Sequence, residues 1–479
     1  MRRRLLLFLG FFLALTAKGQ NPYDFTTVFN GTTLYFRITD AAKHYVEIVP
    51  KNMFYGNGNE HLTTFPARVT NTVTNTEYEV KSIGANAFLS NDADDFYIPE
   101  GVETINSGFL FATIKRLHLP TTLRGSFGMG EFFGEKLIGM EHTQIEQLPD
   151  HAFGQDYALK QDWMFPETLR LIGEWALVYD NSTPDTEITF PASLTSISRN
   201  PWYYSTIDPK FFPKYKKATF NNPVPATVKA ASYSGVITGM THLLGTGVDS
   251  VFVPVDATRA YETHADWSYY AGKYHERVKI GATGYTTYYL ENENFVVPTG
   301  CTAYIITGFS PKMPSRPSGR AMLTSYAAGK ILPRQTGFIL RGTPNTTVTY
   351  QANVTGMEEN VAGNLLVGTA TEQEFSSAGD KYYVFANGDY GLGFYTQGTR
   401  GGASIKLKPH RAGLCLSVSS GAPAKGIIID FDEAEPAVTV IDTPAADMPK
   451  KDIIYNLQGQ RVARAEHGIY IINGKKVIK

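Results

Sequence analysis

Two aromatic clusters are the residues of this 479-residue chain whose types and spacing best suit ligand binding. Trp202, Tyr203 and Tyr204 form the first cluster, and Trp267, Tyr269 and Tyr270 form the second. Aromatic rings exposed on one face of a protein can stack on the flat faces of sugar rings. The same spacing also suits a terminal cap that packs its rings internally. The first interpretation predicts a glycan-binding platform, and the second predicts a buried structural cluster.

The motifs most specific for catalysis are missing from the sequence. It has no H-E-x-x-H zinc motif, no G-x-S-x-G nucleophile turn, no phosphate-binding loop and no paired-cysteine metal spacing. Asp380 and Asp389 would form an acid/base pair only in an arrangement that the sequence does not establish. Gly391 and Gly393 are half of a dinucleotide fingerprint, but they lie between predicted strands and indicate a turn. We therefore predict a protein that is not an enzyme, with no catalytic residue and no cofactor.

One dense carboxylate cluster, Asn91-Asp92-Ala93-Asp94-Asp95, contains the oxygen ligands that Ca²⁺ prefers. It lacks the later acidic ligand and the glycine of a calcium loop, so a solvated loop between repeats is the favoured interpretation. His264 and His275 are separated by ten residues in an aromatic segment, and structural or surface roles are favoured for both. No metal site is predicted.

Composition indicates a globular chain rich in β structure. Hydrophobic residues make up 43% of the chain, and its 28 Tyr and 29 Phe favour strands. Its length predicts two to four domains. The formal net charge of −1 gives no electrostatic reason to expect a nucleic-acid partner. Two cysteines, Cys301 and Cys415, do not make a disulfide framework, and buried free thiols are favoured over a bond between them.

The first residues have the pattern of a secretory signal peptide. A basic segment, Arg2–Arg4, precedes an apolar run, Leu5–Leu15, and the small residues Ala17 and Gly19 mark a cleavage site. The apolar run is shorter than the roughly 20 residues that a membrane-spanning helix needs. We predict that residues 1–19 are removed on export and that the mature chain, with no transmembrane segment, is secreted or displayed at the cell surface.

A sequence pattern recurs between Ser82 and Tyr204. Each copy opens with a single apolar residue, and these are Ile83, Ile105, Leu148, Ile172 and Ile197. The spacings are 22, 43, 24 and 25 residues, so the longest corresponds to two periods. Each complete copy also has a strand-like triplet that ends in Pro, such as Phe96-Tyr97-Ile98-Pro99. A fixed period of this length predicts a solenoid, with a degenerate copy and a loop between Arg124 and Gln144.

The copies resemble the BspA-like class of bacterial leucine-rich repeats, which read roughly S-I-G-x-x-A-F followed by I-P-x-x-V/L. Lys81–Phe88 with Tyr97–Val102 is the closest match, and Leu148-Pro149 and Trp175 depart from it. The segment from Ser250 to Trp267 is similar to the closing segment of the same family. The resemblance implies an exported bacterial protein whose repeat surface binds a partner without catalysis. That partner is a protein, of the host matrix or a cell surface, or a glycan.

The flanking segments are predicted to be β structures. Residues 20–80 alternate like hairpins and form an N-terminal β cap that covers the apolar end of the repeats, which with their C-terminal cap occupy residues 81–280. Residues 285–432 contain eight short strand patterns and predict an antiparallel β-sandwich or barrel. This segment resembles a sandwich module that follows BspA-like repeats. Residues 433–448, with Pro436 and Pro444 and no period, form a linker.

The last segment, residues 449–479, is a C-terminal β tail with an Asn473-Gly474 hairpin signal. It resembles the tails that direct export through the Por, or type IX, secretion route. A plain terminal β element is the alternative interpretation.

Three functional hypotheses follow. The favoured one is a surface or secreted binding and adhesion protein that uses its leucine-rich repeats. The second is a carbohydrate-binding component of a surface glycan-uptake system, based on the two aromatic clusters. The third is an enzyme with a site between domains, which would require a cleft with converging titratable residues.

Overall fold

The computed structural model describes residues 22–52, 61–109, 112–128, 136–153, 163–177, 187–201, 215–230, 243–244, 247–310, 319–420, 422 and 426–431, together with the backbone of five short strands after residue 434. The chain divides into two units, Met1–Ala437 and Val438–Lys479. Within the described residues, helix is limited to α1 (Thr258–Thr263) and four 3-10 turns, and no helix is long and apolar enough to cross a membrane. The predicted signal peptide lies outside the described residues.

The N-terminal strands form a mixed sheet. They are β1 (Phe25–Phe29), β2 (Thr32–Asp40), β3 (Tyr45–Val49), β4 (Arg68–Asn71) and β5 (Thr76–Ile83). Asn30 and Gly31 both have positive φ, as the two-residue turn between β1 and β2 requires. β3 pairs in parallel with β5, which continues into the first repeat and is therefore shared by both regions.

The repeat strands are short and mostly pair in parallel. They are β6 (Asp92–Tyr97), β7 (Thr104–Ile105), β8 (Thr113–His118), β9 (Arg124–Ser126), β10 (Lys136–Ile138), β11 (Gln144–Leu148), β12 (Leu171–Ile172), β13 (Glu187–Phe190), β14 (Ser196–Ser198), β15 (Lys217–Phe220), β16 (Thr227–Lys229), β17 (Ser250–Phe252) and β18 (Tyr274–Lys279). β7 pairs with β5 of the N-terminal sheet, and the other twelve make three ladders, with the orders β6-β8-β10, β9-β11-β12-β14-β16 and β13-β15-β17-β18. Equivalent positions of successive copies lie side by side, as Ile172, Ile197 and Val228 do.

One apolar core runs from Phe25 through all the repeats to Tyr274. The five residues that open the recognised copies are at most 2% exposed. Phe190 stacks between Phe165 and Phe220, with ring centroids 5.6 and 4.7 Å away. Each copy thus packs its apolar residues against its neighbours, and none could bury them by itself. Gly173 is required at its position because a Cβ there would lie 2.4 Å from the backbone nitrogen of Asp150.

The strands after the repeats pair mainly antiparallel. They are β19 (Tyr285–Tyr288), β20 (Phe295–Val296), β21 (Thr302–Ser310), β22 (Gly319–Tyr326), β23 (Ile331–Leu332), β24 (Phe338–Arg341), β25 (Thr347–Tyr350), β26 (Leu366–Thr369), β27 (Gln373–Ser376), β28 (Asp380–Gly388), β29 (Gly391–Tyr395), β30 (Ser404–Leu407), β31 (Arg411–Ser417), β32 (Gly426–Ile428) and β33 (Glu435–Pro436). All eight strand segments expected from the sequence overlap strands here. The predicted linker contains β33, which pairs with β22. Cys301 is buried, Cys415 is partly exposed, and both are free thiols.

The repeats are joined to the strands that follow through β18, which pairs in parallel with β17 and antiparallel with β25. Glu276 in β18 is fully buried and accepts hydrogen bonds from the backbone and hydroxyl of Thr258 and from the hydroxyl of Tyr350. Glu293 is also buried, and its Oε1 accepts a hydrogen bond from the backbone N–H of Arg259 at 2.5 Å. Burial, together with the neighbouring Glu276, holds the pKa of Glu293 well above its usual range.

The second unit contains β34 (Ile454–Tyr455), β35 (Arg461–Val462), β36 (Ile469–Ile472) and β37 (Lys475–Ile478). They form an antiparallel sheet in the order β35-β34-β36-β37. Ile472 lies opposite Lys475, the register expected of a hairpin with Asn473 and Gly474 between the strands.

Candidate functional site

The sheet of β6, β8 and β10 presents a face of ion pairs between copies. Its parallel register places Asp95 opposite Arg116, whose Nε donates to Asp95 Oδ1 at 2.7 Å. His118 Nε2 lies 2.8 Å from the same oxygen, and Lys115 Nζ is 2.6 Å from Asp94 Oδ1. Hydrogen bonds from Arg116, and then from His118, lower the pKa of Asp95 to about 2.

These contacts provide cationic partners for two carboxylates of the cluster identified in the sequence. Asp94 and Asp95 take their cationic partners from β8, one copy later. The described residues contain no group of three or more His, Cys, Asp or Glu side chains that could hold a metal. His264 Nδ1 accepts the backbone N–H of Asp266, while the ring of His275 packs against Phe252 at 5.8 Å. These two histidines therefore have separate structural contacts.

An aromatic pair lies beside these ion pairs. Tyr97 is 50% exposed, and its ring lies flat on that of His118, with centroids 4.0 Å apart and planes 15° apart. The ring of His118 is held by its contact with Asp95. From the sequence, Tyr97 was predicted only as part of a strand triplet, and its exposure was not predicted. The alternation of β6, which turns Phe96 inward, was the signal that could have found it.

The second aromatic cluster is divided between the core and the surface. Trp267 is 0% exposed and donates from Nε1 to the carbonyl of Ala226 at 2.8 Å. Tyr270 is 1% exposed, its hydroxyl accepts the backbone N–H of Leu244, and burial raises its pKa. Tyr269 is 48% exposed and packs edge-on against Tyr270. Only Tyr269 of these three therefore retains ring surface that a sugar could contact.

The first aromatic cluster, Trp202, Tyr203 and Tyr204, lies outside the described residues. Its ligand-binding role stays a prediction, as does that of Tyr269.

A cleft of about 310 Å³ opens on the ladder of β11, β12, β14 and β16. It spans successive copies, and its lining includes Gln147, Asp150, Leu171, Glu174, Ser198 and Lys229. Asp150 and Lys229 are exposed, so the cleft has a carboxylate on one side and an ammonium group on the other. Asp150 Oδ1 accepts the backbone N–H of Glu174 at 2.7 Å, which fixes the acidic side. Sequence analysis did not identify this cleft.

In comparisons with known proteins, the repeats match a protein family. Residues 81–208 match the BspA type leucine-rich repeat region in six copies. A leucine-rich repeat protein from Bacteroides ovatus ATCC 8483, known from a crystal structure, matches with 16% sequence identity and a TM-score of 0.17. That match covers 48% of this chain and 73% of the other. No curated protein matches.

Proposed function

We propose that this protein is a non-catalytic binding and adhesion protein whose repeat surface binds a protein or glycan partner. The observation that carries the proposal is the cleft across β11, β12, β14 and β16. Parallel stacking places equivalent positions of successive copies side by side, and a ligand can therefore contact several copies at once. The cleft offers groups of both charges beside the apolar side chain of Leu171, which suits a polar partner with an apolar face.

The proposed architecture is a solenoid with an N-terminal β cap at residues 20–80 and repeats with a C-terminal cap at residues 81–280. An antiparallel sandwich at residues 285–432 follows, and residues 433–448 link it to the tail. The parallel ladders and the continuous apolar core support the solenoid, because such a core is buried only when copies stack. Burial of Trp267 and Tyr270 supports a closing cap.

A non-catalytic role is proposed because the polar groups of the cleft make structural contacts. Asp150 accepts the backbone N–H of Glu174, and Ser198 Oγ accepts the backbone N–H of Asn200 at 3.3 Å. An enzyme would instead need a nucleophile or acid within hydrogen-bond reach of an activating group.

Binding by the repeats is tested with the purified chain on a glycan array and on a panel of extracellular-matrix proteins. Lys229→Glu reverses the charge at the cleft, and Lys217→Glu makes the same change on the other sheet. We expect wild type and Lys217→Glu to bind one partner alike, and Lys229→Glu to bind it about tenfold or more weakly. Equal binding by all three chains would remove the cleft from the proposal, and no binding by wild type would overturn it.

A carbohydrate-binding component of a glycan-uptake system is the second candidate function, and the exposed rings of Tyr97 and Tyr269 favour it. Tyr97→Ala and Tyr269→Ala are compared with Val73→Ala, which removes an exposed apolar side chain outside both aromatic positions. Loss of binding to one oligosaccharide in either tyrosine variant, with Val73→Ala unaffected, would support this function. Unchanged binding in both tyrosine variants would exclude stacking on these rings.

Export to the cell surface is proposed from the signal-peptide pattern of residues 1–19 and from the tail at residues 449–479. Deletion of residues 449–479 is expected to leave the protein in the periplasm of its native host, as measured by cell fractionation and surface protease accessibility. Unchanged surface display after the deletion would show that the tail is not a sorting signal.

A further inference from the structure

A second cleft, of about 330 Å³, lies among the strands that follow the repeats. Residues of β19, β28, β30 and β31 and the segments beside them line it. Three cationic side chains, Lys406, Lys408 and Arg411, meet there beside Val384 and Phe385. From the sequence, these three cations were given no role, and the proposed function of the repeats does not use them.

Arg411 is held in place by the strand opposite it. The guanidinium Nη1 donates to the carbonyl of Thr287 at 2.9 Å and to the hydroxyl of Thr286. Both threonines are buried, and the backbone N–H of Ala412 donates to Thr287 Oγ1. The acceptors of Nη1 are neutral, and none of them is a carboxylate.

The charges around the cleft do not balance. Lys406 Nζ pairs with Glu372 Oε1 at 2.5 Å, and Lys406 and Lys408 both lower the pKa of Glu372. Within the described part of the chain, neither Lys408 nor Arg411 has a carboxylate at ion-pair distance. The cleft therefore carries an excess of two positive charges, in a chain whose net charge is −1. A concave surface with one sign of charge attracts ligands of the opposite sign.

The remaining lining is partly apolar. Val384 and Phe385 are half-buried, and the ring of Phe385 is supported by Phe394, with centroids 5.5 Å apart. Gln397 adds a polar edge, and its Oε1 accepts the backbone N–H of Lys406 at 2.8 Å. Val384 and Phe385 are consecutive in β28 and their side chains point to opposite faces of the strand, so the apolar surface that we use here is the ring of Phe385. A supported ring beside cations suits a ligand that has a flat C–H face and an anionic group.

We propose that this cleft binds an anionic saccharide, a sugar whose ring carries a carboxylate or a sulfate group. The planar guanidinium of Arg411 matches the geometry of both anions, and Lys408 adds an ammonium charge. The sugar ring would lie on the ring of Phe385. A cleft of about 330 Å³ is at the lower end of the range of small-ligand sites, which fits one or two sugar rings.

The test is titration calorimetry with the full chain and four probes: a galacturonate disaccharide, a sulfated disaccharide, an uncharged disaccharide of the same size, and an acidic tripeptide. We expect at least one anionic sugar to bind, with an affinity that falls as salt concentration rises. The anion that binds more tightly identifies the preferred group. Equal binding of the uncharged sugar, or tighter binding of the peptide, would overturn the proposal, and so would no binding by any probe.

Three variants test whether the sugar binds at this cleft. Lys408→Gln removes an exposed charge and is expected to weaken binding about tenfold, a loss typical of a single charge contact. Arg411→Gln is expected to abolish binding. Arg334→Gln removes an exposed charge from the same region outside the cleft and is expected to bind as wild type. Equal weakening by Arg334→Gln would indicate a general charge effect and contradict the site, and thermal melting checks that each variant is folded.

Discussion

Strand pairing differs between the repeats and the strands that follow them. In the repeats, each strand pairs in parallel with the strand of the next copy, as Leu171 with Ser196. In residues 285–431, pairs join distant segments, as Gly319 with Ile427 or Tyr383 with Leu414. Contacts in the repeats are therefore between neighbouring copies and recur with the period of the sequence. Contacts in residues 285–431 join segments that are distant in the chain and do not recur. Damage to one copy should stay close to that copy, while damage to the second region should spread through its sheet.

Carboxylates in the two regions also differ in burial and in the direction of their pKa shifts. Asp95 in the repeats is held charged on the surface by Arg116 and His118. Glu293, beside the pairing of β18 with β25, is buried, and its raised pKa keeps it protonated. Their contributions to stability consequently depend on pH in opposite directions.

The largest expected effect is that of Phe190→Ala in the repeat core. Removal of a ring stacked between Phe165 and Phe220 should lower the free energy of unfolding by about 3–5 kcal/mol. Thr189→Ala, the exposed neighbour, is the control. Hydrogen exchange should show lost protection in the adjacent copies, with residues 285–431 unchanged. Equal loss of protection in both regions would contradict local stability in the repeats.

A smaller effect is expected from pH at Glu293. The folded chain keeps a proton that the unfolded chain releases above the ordinary pKa of 4.5, so stability is full below that value and falls as pH rises. The slope for one such group is at most about 1.4 kcal/mol per pH unit. Glu293→Gln should flatten the decline measured by denaturation between pH 6 and pH 9, values chosen above the ordinary pKa. A variant with the wild-type slope would show that Glu293 is charged in the folded chain.

The smallest effect is expected from Asp95→Asn. The lowered pKa of Asp95 contributes stability above the ordinary value of 3.8, and this is lost as pH falls toward about 2. In the variant, the free energy of unfolding should therefore fall less steeply as pH is lowered below the ordinary pKa. It should change little near neutral pH because the pair is exposed. Asp94→Asn, whose partner Lys115 is also exposed, serves as the control. A steeper fall of the free energy of unfolding at acidic pH in Asp95→Asn than in wild type would contradict the ion pair with Arg116.

Much of the local structure could be predicted from residue patterns. Ile83, Ile105 and Leu148 were assigned to a shared core by their spacing, and all are buried. The strands β36 and β37 meet in the register that Asn473-Gly474 predicts. The first prediction succeeds because every copy needs an apolar residue at the same position to contribute to the shared core. The second succeeds because a two-residue turn allows few backbone conformations.

The binding surfaces could not be predicted in the same way. Tyr269 and Tyr270 are adjacent and chemically identical, yet one is half exposed and the other is buried against Leu244. The cleft at Arg411 depends on Thr286 and Thr287, which lie far away in the chain. A short-range pattern contains no information about which distant segment will cover a ring or orient a guanidinium.

By itself, the sequence determined the repeated copies, the strand-rich segments and the register of β36 with β37, since these depend on periodicity and on local backbone preference. Tertiary structure decided which aromatic rings remain exposed, which carboxylates are charged and where clefts open. Glu276 shows the reason. Its carboxylate is satisfied by Thr258 and Tyr350 from two other elements, and only the folded chain brings those donors together.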